Sequence, residues 1–346
     1  MPRRNAMKRG NLKHDRRSFL KALAVLVGGT ALSPALRVLP ALASPSLFRI
    51  AEQRMLMGTF VGLTVLAPSR DLGQEAMGRA FEEMERQINI FSRFDDSTAL
   101  SALNHDMRLK GAPGELLKVV EYCDCLHRMT SGHFDVTVAP VLELISRSNG
   151  RPDAYELREA LDLVDASRLR RDGANLRFEA KGMAATLDGV AKGYIADQAA
   201  SVLQDNGIEH FMVDAGGDIR VSGSSNGQRN PWRIAIEDPA KAGKYPAVVE
   251  MKSGAMATSG GYEVFFNSAK TSHHLINPET GASPQYVVSV SVQAPTVMEA
   301  DALATALGLM HPREALRLVS SLPGHDCLLV TSTGARLTSS GWITWT

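Results

Sequence analysis

Apolar and polar residues alternate from Met55 to Leu66, the period of a half-buried strand. The period then changes. Between Gln74 and Phe91 the apolar residues Met77, Phe81, Met84, Ile88 and Phe91 fall three or four apart, which predicts a helix with one apolar stripe. Further helices are predicted over Glu115–Met129, stopped by Gly132, and from Asp153 to about Leu163, where Glu156 follows Asp153 in a capping-box arrangement. Ala191–Asn206 reads as a helix ended by Gly207. Short β-rich pieces come next: Phe211–Val213, Ile219–Ser222, Trp232–Ile236, Val248–Met251 and Val288–Gln293. Two helices, Met298–Leu309 and Arg313–Val319, precede a last strand, Cys327–Thr331. Strands and helices mixed without a regular βαβ rhythm predict an α+β fold, and no internal repeat interrupts it.

Composition adds little until charge is located. The 346 residues can bury a large core in one or two domains, and a net charge of +1 speaks against a generic nucleic-acid binder. That balance is uneven. Residues 1–43 hold nine Lys or Arg and one acid, Asp15, for +8, and the other 303 residues carry −7. The basic stretch leads into an apolar run, Ala22–Leu32, and small residues ending Ala41-Leu42-Ala43, the order of a cleavable signal. Gly28, Gly29 and Pro34 interrupt it too often for a stable membrane span. Arg16-Arg17-Ser18-Phe19-Leu20-Lys21 resembles the twin-arginine export signal, with Asp15 where Ser or Thr is more usual. The expectation is a Tat signal over residues 1–43, removed after Ala43 or kept as an anchor, and one periplasmic domain over residues 44–346. Cys123, Cys125 and Cys327 show no metal-ligand spacing and read as buried free thiols.

Three segments could carry chemistry. In Asp301-Ala302-Leu303-Ala304-Thr305, positions i and i+4 put a carboxylate and a hydroxyl on one helix face, a hard oxygen site suited to Mg²⁺; an Asp near a helix start can equally be a cap. In Asp188-Gly189-Val190-Ala191-Lys192-Gly193-Tyr194, followed by Asp197 and later Asp214-Ala215-Gly216-Gly217-Asp218, a Gly-flanked Lys at a helix start can offer charge and free N–H groups to a phosphate. The spacings fit neither a P-loop nor a Rossmann fingerprint, so both can also be turns. In His273-His274-Leu275-Ile276-Asn277-Pro278-Glu279-Thr280-Gly281, after Thr258-Ser259-Gly260-Gly261-Tyr262, His274 is placed rigidly enough to act as a base, or is structural.

Taken with Met57-Gly58-Thr59, Phe91-Ser92-Arg93-Phe94 and Gly132-His133-Phe134-Asp135, these segments occur in an order that resembles the ApbE family, the FAD:protein FMN transferases. The resemblance runs from about residue 55 to about residue 335. It implies a single α+β domain, related to the T-fold, with a flavin cleft between two lobes. It also implies FAD as substrate, Mg²⁺ as cofactor, and transfer of FMN through its phosphate to a Ser or Thr of an acceptor protein, with AMP released.

Carried over residue by residue, the resemblance assigns the metal to the side chains of Asp301 and Thr305 and to backbone oxygens at Ala191 and Ala304. Met57, Phe94, His133, Phe134, Asp135, Asp188, Lys192 and Leu275 would line FAD, supported by Tyr194 and Asp197, and His274 would be the base. Phe94 stands where the family often has Tyr. The implied acceptors are flavoproteins bearing a Ser/Thr flavinylation motif, such as a quinone reductase subunit or the nitrous oxide reduction regulator. FAD hydrolysis to FMN and AMP, and non-enzymatic flavin carriage, are the competing functions.

Overall fold

The computed structural model describes residues 47–239 and 245–344, so the expected export segment lies outside the described residues. The chain runs β1 (Phe48–Leu56), β2 (Thr59–Ala67), α1 (Arg70–Phe91), α2 (Ala99–Asp106), β3 (Arg108–Leu109), α3 (Gly114–Met129), α4 (Ala139–Arg147) and α5 (Ala154–Leu161). It continues with β4 (Leu169–Asp172), β5 (Asn175–Phe178), α6 (Ala191–Asp205), β6 (His210–Ala215), β7 (Ile219–Ser222), β8 (Trp232–Ala235), β9 (Val248–Met251) and β10 (Ser253–Gly260). Then come β11 (Val287–Ala294), α7 (Val297–Leu309), α8 (Pro312–Ser320), β12 (Asp326–Thr331) and β13 (Arg336–Thr338).

Eight strands form one antiparallel sheet in the order β1-β2-β6-β7-β10-β11-β12-β13. Successive side chains of a strand face opposite ways, and this sheet buries both faces. Ala255, Ala257, Cys327 and Leu329 join the main core with α1, α6 and α7, while Met256 and Leu328 between them join a second core with Trp232, Ile234 and Val249 of the β8–β9 ribbon. A three-stranded sheet, β3-β5-β4, and a small core between α4 and α5 complete the chain. The α+β reading therefore holds.

α7 is apolar nearly all round and is buried accordingly; Leu303 and Leu307 each contribute roughly 1.5–3 kcal/mol by leaving water. Its start is doubly secured. Thr296 and Glu299 form a reciprocal capping box, and the Asp197 carboxylate accepts the Val297 and Met298 N–H groups at 3.0 and 2.9 Å. A negative charge at a helix N-terminus is favourable there. Among the described residues no helix is long and apolar enough to cross a membrane.

Several expectations are corrected. The strand expected over Met55–Leu66 is the end of one strand and most of the next, because Met57 and Gly58 both take positive φ, 52° and 72°, the requirement of a tight two-residue hairpin turn. α2, α4 and β10 had no counterpart in the sequence reading. Cys125 is exposed rather than buried, while Cys123 and Cys327 are buried free thiols as expected.

Candidate active site

α6 and α7 meet at a glycine. A Cβ on Gly193 would lie 2.5 Å from the Val297 carbonyl oxygen and 2.9 Å from Asp301 Cβ, so the closeness of the helices depends on its absence. The Gly193 N–H, one of the unpaired amides of the first turn of α6, donates to Asp301 Oδ2 at 3.0 Å. One turn further along α7, Thr305 Oγ1 lies 3.2 Å from Ser259 Oγ of β10. A Cβ on Gly189 would fall 3.0 Å from that threonine hydroxyl. Three segments, the first turn of α6, the Gly189 turn before it and β10, thus converge on Asp301 and Thr305 of α7.

Asp301 is the charged residue buried within α7, at 4% exposure. Burial first, and then the neighbouring charge of Asp218, push its pKa up to about 8. Asp218 follows the Gly216-Gly217 turn, where φ is 71° and 99°, and holds the Lys192 ammonium at 2.7 Å. Burial opposes charge on Lys192, but the carboxylates of Asp218 and Asp301 outweigh it and keep the amine protonated.

The adjacent histidines are treated differently by the fold. The His273 ring meets the Pro284 carbonyl through Nε2 at 3.1 Å, and its backbone N–H donates to Ser283 Oγ at 2.8 Å. His274 borders the cavity that Asp301 and Lys192 also line, which His273 does not; Nδ1 of both rings is buried without a hydrogen-bond partner. Burial holds its pKa below the ordinary histidine value, against the pull of the Val264 carbonyl, so the ring is neutral near pH 7. The Asn277 side chain accepts from the Glu279 and Thr280 N–H groups, which fixes the turn after it.

Asp301, Thr305, Ser259, Lys192 and His274 line one cavity of about 590 Å³, in the usual size range for small-molecule sites. Of the residues singled out in the sequence, Phe94, Phe134, Asp135, Asp188, Lys192, His274, Leu275, Asp301 and Thr305 all border it. At the rim, Phe94 is 79% exposed, the Arg93 guanidinium lies 4.2 Å over its ring, and Arg93 Nε bonds Asp188 Oδ2 at 2.8 Å. Asp135 is occupied internally, accepting from Thr137 N–H, the Thr137 hydroxyl and Ala166 N–H.

The remaining residues lie elsewhere. Tyr194 and Asp197 border a separate pocket of about 180 Å³ with Lys118 and Arg220. Met57 sits in the β1–β2 turn, and the His133 ring bonds the Thr130 carbonyl at 2.8 Å; neither borders the cavity. Ala191 and Ala304 are buried in α6 and α7. Residues not singled out also border the cavity. Arg93 stood beside Phe94 within a quoted motif, and Ser259 within Thr258-Ser259-Gly260. Glu143, Arg147 and Glu263 gave no sequence signal.

The donor chemistry fits a hard divalent cation: one buried carboxylate and a threonine hydroxyl one turn apart on α7, both on the cavity. The Asp301 and Asp218 carboxylates share one ammonium, Lys192, which leaves one negative charge in excess when all three are ionised. Among the described residues no group of three or more His, Cys, Asp or Glu is placed to hold a metal ion, so the candidate cation site rests on Asp301 and Thr305.

The model of the ApbE family matches residues 57–329, and the chain belongs to that family. It is similar to the FAD:protein FMN transferase of Vibrio cholerae, 33% identical over 283 residues, 75% of this chain and 82% of that protein. The protein of the same name from Treponema pallidum is 30% identical over 306 residues, 81% of this chain and 84% of that one. Among solved structures, the ApbE protein of Thermotoga maritima superposes with a TM-score of 0.77 at 28% identity, covering 85% of this chain and 97% of that one. The flavin transferase ApbE of Vibrio cholerae gives 0.71 at 28% identity, covering 85% and 98%.

Proposed function

We infer that the chain is a transferase that moves FMN from FAD to a Ser or Thr hydroxyl of an acceptor protein, releasing AMP. The observation that carries this reading is the single cavity shared by Asp301, Thr305, Lys192 and His274 in an ApbE-family chain. The acceptor hydroxyl oxygen bonds to the FMN-side phosphorus, the pyrophosphate bridge breaks, and AMP leaves with the electron pair. His274, neutral near pH 7, takes the hydroxyl proton, a contribution of roughly 10²–10⁴-fold. Lys192 and Arg93 bring positive charge to the pyrophosphate, and Phe94 offers a free face for stacking a ring of FAD.

Asp301 and Thr305, with backbone oxygens at Ala191 and Ala304, would hold Mg²⁺. When bound, it supplies Lewis-acid charge to the phosphates. The net charge of −7 outside residues 1–43 makes such local positive charge the means of admitting an anionic dinucleotide. The twin-arginine sequence at Arg16-Arg17 supports export by the Tat translocase and action in the periplasm, on an acceptor there or at the inner membrane.

The test is to mix the chain with FAD, Mg²⁺ and a candidate acceptor bearing a Ser/Thr motif, following AMP and flavin fluorescence of the acceptor in a denaturing gel. Labelled acceptor supports transfer; AMP without label supports FAD hydrolysis instead.

A further inference from the structure

Two buried carboxylates and a part-buried ammonium meet where α6, α7 and the Gly216-Gly217 turn converge. Asp218 is 1% exposed and Asp301 4%, and the Lys192 ammonium is 2.7 Å from Asp218 Oδ2. Lys192 immediately precedes Gly193, whose N–H is bonded to Asp301. The side chain therefore starts beside one carboxylate and ends on the other. An ammonium that loses its partner here turns to another carboxylate of the same cavity, because the lost pair leaves its charge uncompensated. After Asp218, the carboxylate acting most strongly on Lys192 is Asp301, the candidate cation ligand, ahead of Glu263.

The turn carrying Asp218 is fixed independently of Lys192. The Ala215 N–H donates to the Asp218 carbonyl at 2.9 Å, the Gly217 N–H to Asp214 Oδ1 at 2.8 Å, and Gly216 packs against Thr59 with no room for a Cβ. The backbone that presents this carboxylate is therefore held in place without the lysine.

We propose that Asp218 is a positioning residue: by holding the Lys192 ammonium it keeps that ammonium off Asp301 and leaves the Asp301 carboxylate open to a divalent cation. The inference rests on the metal reading of Asp301. It separates two roles within one ion pair. Asp218 stabilises the part-buried lysine, as any partner would, and it also protects a binding site on the neighbouring helix.

The test uses Mg²⁺ alone, without FAD, titrated by calorimetry into the wild type and the variants Asp218→Asn, Lys192→Met and Asp218→Asn/Lys192→Met. The Mg²⁺ Kd is expected to rise roughly tenfold or more in Asp218→Asn, the usual cost of losing a group that orients a metal ligand. It should return to within about threefold of wild type in the double variant, because the competing ammonium is gone. Wild-type affinity in Asp218→Asn, or a double variant as weak as the single, overturns the proposal. Should Asp218→Asn fail to fold, Lys192→Met decides: affinity at or above wild type is expected, and weaker affinity overturns the proposal by making Lys192 a support of Asp301. A wild type that binds no Mg²⁺ removes the metal reading and this inference together. Binding by the wild type with Asp218→Asn unchanged removes this inference alone.

Discussion

Gly193 and Asp301, 108 residues apart in the chain, are joined by an N–H···O hydrogen bond of 3.0 Å. The bond exists because the glycine lets two helices touch, and it places a carboxylate inside an otherwise apolar helix. Gly193→Ala would drive a methyl into the Val297 carbonyl, a backbone atom that cannot rotate away. The expected cost is about 1–3 kcal/mol in urea unfolding. Gly78→Ala is the control, since a Cβ there in α1 meets nothing within 4 Å and should stabilise by up to about 1 kcal/mol. Equal effects at the two sites would show that the helix contact is loose.

Asp301→Asn should separate stability from cation binding. With its pKa pushed up to about 8, Asp301 is largely protonated at pH 7 without metal, so the neutral amide should leave the metal-free melting temperature near that of the wild type. Mg²⁺ should raise the wild-type melting temperature, by about 2.7 kcal/mol of stability at a hundred times Kd, and should leave the variant where it is. Turnover should drop on the order of 10²–10³-fold, the usual loss of a preorganised electrostatic group. An Asp301→Asn protein that still responds to Mg²⁺ would move the cation site elsewhere.

The pH dependence follows from two buried histidines. Burial lowers the pKa of His273 and His274 below 6.5. Below pH 6.5 the unfolded chain takes up protons that the folded chain refuses, so the stability present above 6.5 is lost as pH falls through the folded values. At saturating Mg²⁺, which would hold Asp301 ionised, the acid limb of kcat/KM should accordingly have its midpoint below 6.5. His274→Ala should abolish that limb and lower kcat with FAD binding unchanged. A wild-type midpoint above 6.5 would contradict a buried, neutral His274 as the base.

The rim is expected to govern FAD affinity and leave the chemical step alone. Phe94→Ala removes an exposed stacking face, worth about 0.5–1.5 kcal/mol, and should raise the FAD Kd by roughly 2–12-fold. Phe94→Tyr should keep that affinity. The check is FAD binding by fluorescence quenching alongside single-turnover rates; a fall in the single-turnover rate with unchanged Kd would place Phe94 at the reacting phosphates.

Local periodicity made α6, α7 and the Asp153 cap legible, and the i, i+4 spacing of Asp301 and Thr305 correctly put both on one cavity. It failed where the pattern continued through a turn. Met55 to Leu66 alternates across Met57 and Gly58, and period alone cannot register two positive φ values in the middle. α6 shows the other limit. Lys192, Tyr194 and Asp197 lie within two turns, yet Lys192 reaches the cavity while Tyr194 and Asp197 border the second pocket, and Asp197 caps α7. Adjacency in a motif does not say which side of a helix a residue serves. The Asp218–Lys192 pair spans 26 positions and no local rule joins them.

The most direct measurement of the central claim is mass spectrometry of the acceptor after incubation with the chain, FAD and Mg²⁺, with AMP quantified in the same sample. The account predicts an acceptor Ser or Thr heavier by one FMN less one water, and one AMP for each labelled acceptor. AMP and free FMN accumulating beside an unmodified acceptor would contradict it.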